Sequence, residues 1–214
     1  MNYERKISNA VIKRLPRYYR YLSNLHQMGI VRVSSKDMSK AMGLTPSQVR
    51  QDFLNLGGVG LQGYGYDVDS LQKEIGIILG LETTYDMIII GAGNLGRALA
   101  KYSHFEKRGF RIVGIFDANI KIVGEKIDEI EIKHIHSIEK FLHFNKVDIA
   151  AITVPRDDAR DVADQVTKLG IKGIWNFAPV ELEFNDDVVI ENIHLSDSLM
   201  VLGYNLKLKM QEKT

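Results

Sequence analysis

Three glycines at fixed spacing constrain this chain more than any other feature. Gly91, Gly93 and Gly96 follow "MIII" (87–90), an apolar run of strand length, and open "NLGRALAKY" (94–102), which has the period of an amphipathic helix. A strand that turns so abruptly into a helix needs a tight turn at the first glycine, bare backbone at the second and close strand–helix packing at the third. With an acidic residue about 20 positions on, that pattern is the dinucleotide-binding fingerprint of a Rossmann half, in which the helix N-terminus attracts the pyrophosphate. Asp117 closes "RIVGIFD" 21 residues after Gly96. Its carboxylate suits the ribose hydroxyls of adenosine and repels a 2′-phosphate. The following "ANIK" carries no Arg, so NAD+ or NADH is favoured over the phosphorylated cofactors. Gly91, Ala92, Gly93, Asn94, Leu95, Gly96 and Asp117 are the expected contacts.

Beyond the fingerprint, apolar strands alternate with amphipathic helices: "RIVGIFD", "SIEKFLHF", "DIAAITV", "RDDARDVADQVTKLG", "GIWNFA" and the strand-like "DVVIENIHL". This implies a parallel sheet covered on both faces, from about residue 85 to 195. A hydride-transferring enzyme needs an acid or base near the nicotinamide, usually from a domain placed after the Rossmann half. Only about twenty mainly apolar residues remain here, and the six histidines (26, 104, 134, 136, 143, 194) form no H-E-x-x-H or Ser/His/Asp arrangement. "HIH" at 134–136 reads as strand surface. No catalytic role is expected, and the absence of cysteine excludes disulfides, thiolate metal sites and thiol redox switches. No stretch has signal-peptide or membrane-span length, so the chain reads as soluble and cytoplasmic. The closing segment, 196–214, is unusually apolar: Leu195, Leu199, Leu202 and Leu206 form one stripe, and Met200, Val201, Tyr204 and Leu208 leave little polar face. Such a helix calls for burial on more than one side, as between subunits.

About 85 residues precede the fingerprint, and they differ from it in charge. Residues 1–52 hold ten Lys or Arg against three acidic residues, a balance of +7 that leaves −6 for the rest of a chain of net charge +1. A basic end suits a polyanion. Apolar residues at helical spacing predict a helix over about 9–28, in which Pro16 either kinks the helix or opens its straight part. A short helix follows, capped by Ser35 and stopped at Gly43. A third has Thr45 as N-cap, Pro46 at its first position, Gln48 completing a capping box and Gly57-Gly58 as its stop. This is the order of a helix-turn-helix. The glycine- and aromatic-rich "VGLQGYGYDV" fits a β-ribbon wing, and Asp69 can cap the helix "SLQKEIGIILG". With Val49, Phe53 and Leu56 turned inward, the third helix presents Ser47, Gln48, Gln51 and Asn55, flanked by Arg50: side chains able to read base edges in a major groove. A solvated helix face is the plain alternative. Arg14, Arg17 and Arg20, three residues apart, could hold phosphates or bridge to the second domain.

"KRLPRYYRYL", "RVSSKDMSKAMGLTPSQVRQDF", "GYGYDV", "GAGNLG", "TVP", "KGIWNFAPV" and "ENIHL" occur in this order over nearly the whole chain. Together they resemble the Rex family of redox-sensing transcriptional repressors. The resemblance implies an N-terminal winged helix (1–80), an α/β Rossmann domain with a parallel sheet (85–195) and a C-terminal helix (196–214) swapped between the subunits of a homodimer. It implies binding to double-stranded operator DNA through Arg14, Ser47, Gln48, Arg50, Gln51, Gln62 and Tyr64, with release by NADH. It also implies that Thr153, Val154, Pro155, Asn176, Phe177 and Tyr102 line the cofactor, and that Arg20 and Tyr102 take part in an interdomain switch. His194 stands where many members have Asp, and Gln51 and "GLQG" stand where many have basic residues. A small NAD-dependent oxidoreductase, or a coenzyme A-binding protein with a basic oligomerisation domain, is the other class left open.

Overall fold

The computed structural model describes residues 7–54, 56, 65–185 and 187–212. The chain divides into two compact units, Met1–Thr83 and Thr84–Thr214.

In the first unit, α1 (Asn9–Ile12) and α2 (Leu15–Gln27) are separate helices rather than the single one expected over 9–28. Proline lacks an N–H and fits only a first turn, so α2 begins afresh around Pro16. β1 (Arg32–Val33) leads to α3 (Ser35–Met42) and α4 (Pro46–Leu54); β2 (Tyr66–Asp67) leads to α5 (Val68–Ile78). The caps shift slightly from expectation. Ser34, not Ser35, is extended and accepts a hydrogen bond from the Asp37 N–H, and Asp67, not Asp69, accepts from the Ser70 N–H. A cap oxygen must sit three residues before the N–H it serves, which those two residues satisfy. Gly43 ends α3 at φ 66°, and Thr45 Oγ1 accepts from the Gln48 N–H at 3.2 Å. β2 pairs antiparallel with β1, Val33 opposite Tyr66, a partner strand that sequence periodicity did not announce. The expected stop at Gly57-Gly58, together with Asn55, Leu61, Gln62 and Tyr64, lies outside the described residues.

Tyr18, Leu22, Val49, Phe53, Leu71 and Ile75 build the core of this unit. Asp52, on α4, is buried among them. Its carboxylate accepts from Arg14 Nε at 2.8 Å and Nη2 at 2.6 Å, and from the Tyr18 hydroxyl at 3.0 Å. Two helices are thereby tied by a buried charge whose lone pairs are satisfied, the condition under which such a charge is tolerated.

The second unit contains β3 (Tyr85–Ile90), α6 (Asn94–Ala100), β4 (Phe110–Asp117), β5 (Lys126–Ile127), β6 (Ile130–His134), α7 (Ile138–Phe144), β7 (Ile149–Ile152), α8 (Arg156–Lys168), β8 (Gly173–Asn176), β9 (Val189–Asn192) and α9 (Leu195–Gln211). The sheet order is β5-β6-β4-β3-β7-β8-β9. Neighbours are parallel, as expected, apart from the short antiparallel edge pair β5–β6. Along β3 the side chains alternate. Ile88 and Ile90 join a core with Ile138 of α7 and Ala159, Ala163 and Val166 of α8. Met87 and Ile89 join another, with Leu99 and Ala100 of α6. Between β8 and β9, Ala178, Leu182 and Phe184 pack on the α8 side of the sheet, whereas Val189 at the start of β9 is 75% exposed. No residue of α9 is buried. Among the described residues no helix is long and apolar enough to cross a membrane.

Removing Asp52 strands Arg14 and Tyr18. Asp52→Ala is expected to lower the stability of the first unit by about 3–5 kcal/mol, read from the urea midpoint. Burial, then the Asp52 charge, holds the Tyr18 phenol above its ordinary pKa of 10.0. The folded state therefore keeps a proton that the unfolded chain releases, and the associated stability is full below about pH 10 and lost as pH rises beyond it. Tyr21 and Tyr66 are raised by burial in the same direction, so Tyr18→Phe should make this alkaline loss shallower without abolishing it.

Candidate functional site

In the strand order, successive strands run outward from β3 to β4 and β6, then reverse to β7, β8 and β9. Parallel sheets bind ligands outside the carboxyl ends of the strands at such a reversal. Here that point holds the three glycines. Gly91 has φ 100°, and a Cβ there would lie 2.7 Å from the Thr153 carbonyl oxygen. A Cβ on Gly96 would overlap the Gly91 carbonyl oxygen and approach Thr153 Oγ1 to 2.9 Å. Gly93 differs, since nothing lies within 4 Å of its added Cβ. Two glycines are thus required by the protein's own backbone, while the third borders open space at the start of α6. The turn is braced from both neighbouring strands: Gly91 N donates to Phe116 O at 2.8 Å, and Thr153 Oγ1 donates to Ile90 O at 3.0 Å and Gly91 O at 2.7 Å.

Asp117 holds the loop from below. One carboxylate oxygen accepts from Ala92 N at 2.6 Å and the other from Asn119 N at 2.7 Å, and each oxygen retains accepting capacity.

A cleft of about 680 Å³ opens at this point, within the range of small-molecule sites. Of the residues expected from sequence, Gly91, Gly93, Asp117, Thr153, Val154 and Pro155 line it. Ile135 and His136, after β6, and Asp158, Asp161, Val162 and Gln165 of α8 line it too. The α8 set recurs at positions i, i+3, i+4 and i+7, one helix face beside the buried Ala159, Ala163 and Val166, with Val162 at the border between them. That spacing was readable, but a run rich in Asp resembles an ordinary solvated face. The lining carries three carboxylates and no Lys or Arg.

Three expected cofactor contacts fall elsewhere. Asn176 is fully buried; its Nδ2 donates to Val180 O at 2.7 Å and Asn192 Oδ1 at 2.8 Å, and its Oδ1 accepts from Ala178 N at 3.0 Å. Its polar capacity goes to the fold. Phe177 packs on Trp175, ring centroids 4.5 Å apart, and is absent from the cleft lining. Tyr102 lies beyond the end of α6. Because α6 runs back from the carboxyl ends of the strands, Tyr102 lines a second, apolar cavity of about 410 Å³ with Phe105, Phe110, Ile149, Trp175 and Val189. Ala92, Asn94, Leu95 and Gly96 belong to the glycine turn and first turn of α6. His194 stands at the N-terminus of α9, its Nε2 2.7 Å from Glu181 Oε1.

In the first unit, Ser47, Gln48, Arg50 and Gln51 are exposed while Val49, Asp52 and Phe53 are buried. Arg50 donates to Ser47 Oγ at 3.0 Å and Ser35 Oγ at 3.3 Å, leaving α4 with a polar outward face. Arg20 is exposed on α2, and Arg17 donates to Met42 O at 2.9 Å. Arg14 corrects the expectation of a phosphate contact: its guanidinium is engaged by Asp52, which also holds its pKa above the ordinary value.

Residues 6–53 match a family model described as "Putative DNA-binding protein N-terminus", and residues 82–180 match one described as a CoA binding domain. The redox-sensing transcriptional repressor Rex of Thermoanaerobacter pseudethanolicus is 50% identical over 206 residues, covering 96% of this chain and 92% of that protein. The Rex of Clostridium tetani is 52% identical, covering 95% and 97%. Among solved structures, the Rex-family repressor RSP in complex with NAD+ and operator DNA superposes with a TM-score of 0.88 at 49% identity, covering 97% of this chain and 95% of that one. RSP in complex with NADH gives 0.89 at 47% identity, covering 97% and 98%.

The glycine geometry separates folding from occupancy. Gly96→Ala is expected to lower the melting temperature of the second unit sharply, because helix and strand must part. Gly93→Ala should shift it by less than about 2 °C, since its Cβ enters empty space. Calorimetry of the ligand-free protein distinguishes the two.

Proposed function

The chain belongs to the Rex family of redox-sensing transcriptional repressors, and from that premise we propose that it binds operator DNA as a homodimer and leaves it when NADH accumulates. The observation that carries the cofactor assignment is the charge of the cleft. Asp117, Asp158 and Asp161 with no lining cation disfavour any adenosine bearing an extra phosphate, which counts against both coenzyme A and NADP(H). Gly93 leaves room for the pyrophosphate beside the first turn of α6, and Asp117 keeps capacity for the ribose hydroxyls. Val154 and Pro155 continue the path from Thr153. An oxidoreductase is the weaker reading, because the relatives matched over nearly the whole chain are repressors.

In this proposal α4 enters the major groove, with Ser47, Gln48, Arg50 and Gln51 as its reading face; Gln62 and Tyr64 add contacts to the DNA backbone. Two such helices in a competent dimer sit about 34 Å apart, or a multiple of that. The dimer is supported by α9, whose Leu199, Met200, Leu202 and Tyr204 are each at least 60% exposed. A helix of that composition seeks an apolar seat, and the cavity beside Tyr102 and Trp175 offers one to the helix of a second copy. Arg20, Tyr102 and His194 are the proposed links by which cofactor state reaches the DNA-binding unit, with Glu181 supplying a carboxylate beside His194. The protein acts in the cytoplasm in this reading.

Operator binding followed by fluorescence anisotropy tests it. NADH should release the protein at concentrations where NAD+ does not, and equal effects of the two would contradict redox sensing. Arg50→Ala should weaken operator binding about 10- to 100-fold while NADH affinity is unchanged. Gly93→Ala should remain on the operator at NADH concentrations that release the parent protein.

A further inference from the structure

Resting on the assignment of the cleft to NAD(H), we infer that Asp161 and Gln165 of α8 read the polar edge of the cofactor's adenine, making this site selective for the base as well as for the sugar. The cleft runs from the glycine turn, past Asp117 and Asn119, into the space between the turn at Ile135–His136 and the outward face of α8. Ile135 and Val162 supply apolar surface from opposite elements, suited to the two faces of a planar ring. Asp161 and Gln165, four residues apart on one helix face, supply polar atoms to its edge.

These polar groups are free to do so. Among the described residues, the neighbouring Asp164 is paired with Arg160 at 3.1 Å, whereas the side chains of Asp161 and Gln165 have no ion pair or hydrogen-bond partner. The edge of adenine presents an exocyclic amine, a donor, beside ring nitrogens that accept. A carboxylate can only accept and an amide can do both. Gln165 can therefore adjust to any base by turning its amide. Asp161 lacks that freedom: it suits the amine of adenine and opposes the carbonyl oxygen of hypoxanthine. A site built to hydrogen-bond a ligand group rejects the analogue that lacks it far better than an apolar pocket does.

The test compares NADH with its deaminated analogue, in which hypoxanthine replaces adenine, by titrating the full-length protein and following dihydronicotinamide fluorescence. The parent protein should bind NADH at least about tenfold more tightly than the analogue. In Asp161→Asn the amide can turn to meet either base, so the preference should fall to within about threefold while NADH itself stays well bound. A purely electrostatic role for Asp161 would alter both affinities in parallel and leave their ratio unchanged. An unchanged ratio in the variant, or equal binding of the two cofactors by the parent protein, would overturn the inference and spare the cofactor assignment. Failure of the parent protein to bind NADH at all would overturn both.

Discussion

The second unit depends on one close approach: the first turn of α6 lies so near the end of β3 that a side chain at Gly96 would overlap the Gly91 carbonyl oxygen. Thr153 fixes the same carbonyl from the β7 side with its hydroxyl. Three pieces of chain, β3, α6 and the end of β7, are thereby locked at the point where the sheet reverses its order. Beside Gly93, in contrast, an added Cβ would meet nothing within 4 Å, and the cleft opens there at the N-terminus of α6.

Two further surfaces acquire meaning from that arrangement. The cleft is lined by three carboxylates; in the proposed reading the helix N-terminus and backbone amides attract the pyrophosphate and the carboxylates disfavour additional phosphates. The opposite end of the sheet is apolar and open, and α9 is apolar and unburied. Both ends of the Rossmann unit thus present a surface to another molecule: the cleft to a cofactor and, in the proposed dimer, the apolar end to a second subunit. The first unit is organised differently, around a buried Asp52 that orients α4 from within while its outer face stays polar and exposed.

Much of this was legible in the sequence, for physical reasons that differ by residue. The glycine turn announced itself because only glycine tolerates such contacts, and Thr45-Pro46 because capping is local. The apolar stripe of α9 was visible for want of any polar face. What escaped was long-range. Arg14 and Asp52 are 38 residues apart, and nothing in "VRQDF" marks its Asp as buried rather than groove-facing. A polar residue at a strand end, such as Asn176, suggests a ligand contact in sequence, whereas in the fold Val180, Ala178 and Asn192 consume its hydrogen bonds. Tyr102 lies away from the cleft because a helix reverses direction relative to its strand and carries its far end to the opposite edge of the sheet. The β5–β6 pair, two and five residues long, is too short for periodicity to reveal.

In the proposed mechanism one conformational equilibrium links cofactor and operator, so that each ligand acts on the other through states it binds unequally. Thermodynamic reciprocity makes this testable from the cofactor side. The NADH dissociation constant should be measured for the free protein and again with saturating operator DNA. Operator should weaken NADH binding by the same factor by which NADH weakens operator binding. An NADH affinity indifferent to operator would contradict it.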